Sequence, residues 1–232
     1  MLNNNILVLG SKPESKLPDI HIDKIYAANG SAARADEFRT KYQKNELTCV
    51  VGAREFSRNE YVNSRVIASK PERIMIVPGV IDLPLDLKGY TKLTCLSDKE
   101  QWNFQAKFFK YKKISLLLAE MHYKKKFHSK IVHTLRHVVK KNMQGISRGF
   151  YAILLALDEN PNSNIIISGI GMKGGKQFYE SERSKIFVYD SRARVDRYLV
   201  NKLLDKYKNR LYTMDSDLIN VSNINKWSGN FF

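Results

Sequence analysis

The sequence predicts an α/β protein, a Rossmann-like, doubly wound and mostly parallel sheet forming a single nucleotide-binding domain over residues 1–232. Three observations predict it. Four short runs rich in branched apolar residues, Ile6–Leu9, Ile25–Gly30, Leu47–Gly52 and Ile74–Gly79, have the composition of strands covered on both faces. Each run reaches a glycine at or just beyond its end, and in doubly wound sheets ligands collect at the carboxyl ends of strands. The third observation is the segment from Ile146 to Met172. There a Ser147-Arg148-Gly149 turn opens an apolar helix through Leu157, a loop over 158–163 ends it, and a β-branched run delivers the chain to Ser168-Gly169-Ile170-Gly171. Such a turn aims unpaired N–H groups and the positive end of a helix dipole at one spot, which suits an anion.

The remaining elements follow in order. Ser31 stands where it can cap a helix through Ala32, Phe38 and Tyr42, and the stretch from Glu55 to Lys70 reads as helix. From Ile81 to Leu96 the pattern weakens to loop, with one short strand at Lys92 to Leu96. Helices are predicted over Lys99 to Ala119 and over Lys130 to Asn142. Residues 173–190, glycine-bearing and polar at their start, read as a mobile lid beside the site. Val195, Leu199, Leu203 and Tyr207 recur every four residues as the buried stripe of a long helix, with Asp190 or Ser191 available as its cap. A final strand at Arg210 to Met214 precedes a tail that carries no signal.

Composition restricts the partners. The formal charge is +16, which points to a negative partner: nucleic acid, an anionic membrane surface or an anionic substrate. Basic residues concentrate between Lys107 and Lys141, interleaved with Phe108, Phe109, Tyr111, Tyr123 and Phe127. Aromatics among lysines suit base stacking, an acidic lipid surface, or a solvated helix face whose rings point inward. The longest apolar runs fall short of a membrane span, and residues 1–5 lack the features of a signal peptide, so a cytoplasmic location is expected, with peripheral attachment to the inner membrane face as its variant. Cys49 and Cys95 sit in strand-like settings and read as reduced core thiols. His133 and His137 lie four apart on a helix but have no third ligand in view, so no metal site is predicted.

Taken together, these motifs resemble the bacterial sialyltransferase family, which uses CMP-activated sialic acid. Its early Gly-Asn-Gly-Pro-Ser loop is matched in position by Gly10-Ser11-Lys12-Pro13, its second strand end by Ala27-Ala28-Asn29, and its third by Gly52-Ala53-Arg54. The most specific likeness is to its Thr-Ser-Gly helix start and Ser-Gly-Ile-Asp strand end, which Ser147-Arg148-Gly149 and Ser168-Gly169-Ile170-Gly171 follow. The resemblance implies an inverting glycosyltransferase that moves sialic acid or a related keto-deoxy sugar acid such as Kdo from a CMP donor to a glycan or lipid-linked glycan. It implies no cofactor and no metal, with tyrosine hydroxyls, here Tyr179 and Tyr189, on the lid side. Gly10, Ser11, Asn29, Ser147, Arg148, Gly149 and Gly169 become the donor-binding residues. The family's catalytic histidine precedes the last helix; here Tyr189-Asp190-Ser191 stands in its place, and no histidine follows His137. The base role therefore moves to Asp190, with Glu180 and Glu182 in reserve and Arg192 and Arg194 placed to keep a carboxylate ionised. A basic nucleic-acid binder and another nucleotide-dependent transferase on the same fold are the alternatives.

Overall fold

The computed structural model describes residues 4–12, 15–42, 45–140, 146–172 and 187–232, with the backbone but not the side chains of His137, Lys140 and residues 187–190. Among them are β1 (Asn5–Leu9), β2 (Lys24–Ala28), α1 (Ala32–Lys41), β3 (Glu46–Val51), α2 (Ala53–Arg58), α3 (Glu60–Ala68), β4 (Arg73–Ile76) and β5 (Lys92–Cys95). The chain continues through α4 (Asp98–Ala106), α5 (Lys113–Glu120), α6 (Phe127–Lys140), α7 (Arg148–Glu159), β6 (Asn164–Ser168), α8 (Phe187–Tyr207), β7 (Leu211–Thr213), α9 (Ser216–Val221) and β8 (Asn225–Lys226). The sheet order is β5-β4-β3-β2-β1-β6-β7-β8, and every neighbouring pair is parallel. The doubly wound sheet is thus wholly rather than mostly parallel.

Side chains alternate across each strand, so one sequence run feeds two cores. Ile6 and Val8 of β1, Tyr26 of β2, Val50 of β3 and Ile165 and Ile167 of β6 pack with the apolar faces of α7 and α8. Leu7, Leu9, Ile25, Ala27, Cys49 and Ile166 pack instead with Phe38 of α1 and Val62 and Val66 of α3. Helix α7 is the middle of the first layer: all eight residues from Phe150 to Leu157 are buried. Its far end is tied down where Glu159 accepts two hydrogen bonds from Arg73, at 2.8 and 2.7 Å, and one from the Tyr26 hydroxyl at 2.7 Å.

Several boundaries differ from those the sequence predicts. The helix expected over Glu55 to Lys70 breaks at Asn59, whose side chain accepts from the Val62 N–H and so starts a second helix. The helix expected from Lys99 to Ala119 divides into α4 and α5 around Lys112, which adopts φ +46°. Ser31 gives no side-chain cap to α1, because its hydroxyl donates to the Leu9 carbonyl at 2.9 Å. Asp190 does not cap α8, which begins at Phe187 and takes Asp190 into its first turn. The tail holds structure after all: β8 extends the sheet, and Leu17 and Phe232 exchange backbone hydrogen bonds at 2.9 and 2.8 Å. Of the predicted lid, residues 173–186 lie outside the described residues.

The chain leaves β1 in one direction toward β2 and, by way of α7, returns to β6 on the other side, so the topological switch point lies between β1 and β6. Leu9 pairs with Ser168, so both strands end level. Beyond them Gly10 N–H donates to Ser168 O at 2.8 Å and Lys12 N–H to Gly169 O at 2.9 Å. A Cβ on Gly10 would lie 2.2 Å from the Gly169 carbonyl oxygen. Gly10→Ala is therefore expected to lower stability by about 1–3 kcal/mol in urea unfolding, as overpacking against backbone does. Gly171→Ala, whose nearest neighbour is Lys12 Cδ at 3.9 Å, should change it by under about 0.5 kcal/mol.

Candidate functional site

Helices that follow parallel strands start at the carboxyl edge of the sheet, so α7 and α8 both open beside the switch point. Ser147 organises the start of α7. Its hydroxyl accepts from the Phe150 N–H at 3.0 Å, as an N-cap does, and its own N–H donates to Asp196 Oδ1 of α8 at 3.1 Å. Ser147 thereby ties the start of α7 to α8, and its side chain acts as a helix cap. The first-turn N–H groups of Arg148 and Gly149 have no acceptor within the helix. Gly149 admits close packing, since a Cβ there would meet the Ile170 side chain at 3.2 Å.

Arg148 is half-buried and lies across the end of β3, where a Cβ on Gly52 would come within 3.2 Å of its Nε. Among the described residues no carboxylate pairs with it. Burial pulls its guanidinium down to about 10, and the neighbouring Arg192 pulls the same way against Tyr151, Glu55 and Asp98. It stays charged at neutral pH. Arg192, half-buried on α8, has a buried Nε without a hydrogen-bond partner among the described residues. Asp196, which is 1% exposed, lies within electrostatic reach of both guanidiniums. Burial pushes Asp196 up to about 7, with the Ser147 hydrogen bonds and both arginines opposing. Arg148 and Arg192 thus bring two guanidiniums to one crevice around a buried carboxylate.

The β6 end is different from the anion cradle that its sequence predicts. Gly169, at φ +73°, turns its N–H to the carboxylate of Asp215 at 2.7 Å, and the Ile170 N–H joins the same carboxylate. Asp215 is buried, and burial raises its pKa while Lys12 lowers it. The protein's own anion occupies that cradle. Gly10 and Gly169 serve as the close-packed floor between the two loops rather than as ligand donors. Lys12 forms an ion pair with Asp217 at 2.9 Å. Ser11 donates to the Ala28 carbonyl at 3.2 Å, linking the β1 and β2 ends. Asn29 follows β2 at φ +52°, a conformation asparagine tolerates, and its Oδ1 is buried without a partner among the described residues.

Asp190 and Tyr189 ride in the first turn of α8, one turn or less before Arg192, with their side chains outside the described residues; Tyr179 lies outside them entirely. Arg194 has partners on the other side of α8. It donates to the backbone carbonyls of His122 and Tyr123, at 3.0 and 2.7 Å, and fastens the α5–α6 turn to α8. His133 bonds to Glu120 at 2.8 Å and stacks on Tyr123, and no group of three or more metal-ligating side chains occurs among the described residues. Sequence reasoning missed Asp196. The signal was present: a lone acid adjoins the buried stripe, one turn before Val200.

Comparison with family models, curated proteins and solved structures finds no match for this chain.

The raised value of Asp196 has a testable sign. The native carboxyl keeps its proton up to about 7, whereas the unfolded one releases it near 3.8. Its contribution to stability is fully present below about 4 and is lost as pH rises through about 7. Asp196→Asn keeps an oxygen for the Ser147 N–H and removes the titration. Urea unfolding at pH 5 and pH 8 should show wild type losing stability relative to the variant at the higher pH; parallel behaviour would contradict the assignment.

Proposed function

We propose that this protein is an inverting glycosyltransferase that moves sialic acid or a related keto-deoxy sugar acid such as Kdo from a CMP-activated donor to a glycan or glycolipid acceptor. The observation that carries the reading is the half-buried Arg148 guanidinium, held over the end of β3 beside Arg192 with no carboxylate partner among the described residues. Holding an unpaired charge there costs stability in the empty protein, and an anionic ligand removes that cost. A CMP-sugar acid brings two anions, the phosphodiester and the sugar carboxylate, which correspond to two guanidiniums. The donor sits at the switch point between β1 and β6, where open α/β sheets bind nucleotides, and the unpartnered Asn29 Oδ1 offers an acceptor to a sugar hydroxyl or the cytosine amino group.

In this reading Arg148 and the Arg148 and Gly149 N–H groups hold the phosphate, and Arg192 seats the carboxylate. The acceptor oxygen forms its bond to the anomeric carbon as the bond from that carbon to the phosphate oxygen breaks. The electron pair leaves with CMP, and the acceptor proton passes to Asp190. Charge develops on the departing phosphate, so guanidiniums already in place, with no reorganisation at the moment of reaction, favour the transition state.

Thermal unfolding in magnesium-free buffer with CMP, CDP, AMP, UMP or a short RNA tests the ligand class. CMP at about one hundred times its dissociation constant should add about 2.7 kcal/mol and raise the melting temperature selectively. RNA as the strongest ligand, with no cytidine preference, would overturn the reading in favour of a nucleic-acid binder. Arg148→Met should leave the empty protein as stable as wild type or more so, because it removes a buried unpaired charge, while weakening CMP binding by about 10- to 100-fold, the worth of a charged hydrogen bond. Asp190→Asn should retain CMP binding and lose about 100-fold or more in transfer rate.

A further inference from the structure

Helix α6 is amphipathic the wrong way round for a helix on a globular core. Its apolar residues Phe127, Ile131, Val132, Leu135, Val138 and Val139 are all exposed, Phe127 at 68%, Val132 at 66% and Val139 at 81%. They recur at spacings of three and four and so form one outward arc. The side turned to the body is polar. His133 reaches in to hydrogen-bond Glu120, which is wholly buried, and lies flat on Tyr123 with ring centroids 4.6 Å apart; the Thr134 hydroxyl is buried as well. Helix α5, which packs beside α6, adds exposed Ile114 and Leu118, with exposed Tyr111 just before it.

The charge along the chain through this face is of one sign. Between Glu120 and Asp158 the chain has no acidic residue, while Lys124, Lys125 and Lys126 precede the apolar arc, Arg136 borders it, and Lys110, Lys112 and Lys113 border the α5 edge. A second copy of this chain would set two such lysine rims face to face in a symmetric pair of +16 molecules. Nucleic acid would meet the lysines but would find mainly branched aliphatic side chains, which offer no stacking plane to a base. An anionic bilayer answers both features, since its headgroups take the lysines and the boundary of its acyl region takes the apolar arc.

We propose that α6 and the adjoining edge of α5 form a docking surface for anionic lipid bilayers. Helix α6 lies along the interface plane rather than across it; no helix among the described residues is long and apolar enough to cross a membrane. Arg194 holds the turn that leads into α6 against α8. The inference rests on α6 itself and stands apart from the identity of the donor.

The test is co-sedimentation of the full chain with vesicles of equal phosphatidylglycerol and phosphatidylcholine, against vesicles of phosphatidylcholine alone. Binding should be at least 10-fold stronger to the anionic vesicles and should weaken at least 10-fold in 0.5 M salt, where screening shortens the reach of the lysines. The double variant Val132→Asp, Leu135→Asp should lose at least 10-fold in vesicle binding while keeping the wild-type melting temperature, because both side chains face outward in the free protein. Equal binding to both vesicle types, or a variant that binds like wild type, would overturn the proposal. A melting temperature lowered by the double variant would overturn it too, by showing that the chain covers this face itself. So would a concentration-dependent dimer that the variant abolishes without any vesicle binding, which would assign the face to a second copy.

Discussion

The structure depends on the pairing of β1 with β6. These two strands are far apart in sequence, and their parallel register brings Leu9 and Ser168 level, so the loops that follow must pass one another at backbone distance. Only glycine at positions 10 and 169 permits that passage. From this contact the rest follows. The sheet is wound outward on both sides of it, α7 and α8 begin above it, and the ends of β2 and β3 are brought to the same edge. A crevice at this point is a consequence of topology before any side chain is considered.

Electrostatics then separates the two sides of the crevice. On the β6 side the buried N–H of Gly169 is satisfied by Asp215, and Lys12 pairs with Asp217, so charge there is balanced internally. On the α7 side it is not. Arg148 and Arg192 lie near Asp196, whose pKa burial raises to about 7, and neither guanidinium forms an ion pair among the described residues. Ser147 links this imbalance to the fold, since the residue that caps α7 also receives Asp196 from α8. A fold has little reason to keep buried guanidiniums unpaired, and a binding site has a strong one.

The same reasoning applies to α5 and α6. A polar helix face packed on the body, with Glu120 and His133 paired inside, and an apolar face turned to solvent oppose the usual arrangement of a globular surface. The aromatics that the sequence interleaves with lysines are divided by the fold: Phe108 and Phe109 enter the core, whereas Tyr111 and Phe127 stay outside. Neither a wholly solvated face nor a row of stacking rings describes the result.

By itself the sequence determined the parallel α/β fold, most strands to within a residue or two, and the glycine-bearing ends at the switch point, because continuous apolar runs and small-residue turns are local signals. It also marked Arg148 and Ser147, through the turn that opens α7. What it could not assign was partnership. A serine before a helix can cap it, as Ser147 does, or reach another strand, as Ser31 does toward Leu9, and the choice depends on what the fold places nearby. The breaks at Asn59 and Lys112 and the short β8 were hidden for a related reason: each is stabilised by contacts or turns that periodicity does not register. Only the tertiary structure gave Asp215 to Gly169, brought Asp196 to Ser147 and left Arg148 without an ion-pair partner among the described residues. Burial and charge compensation belong to neighbours in space, and those neighbours come from distant parts of the chain.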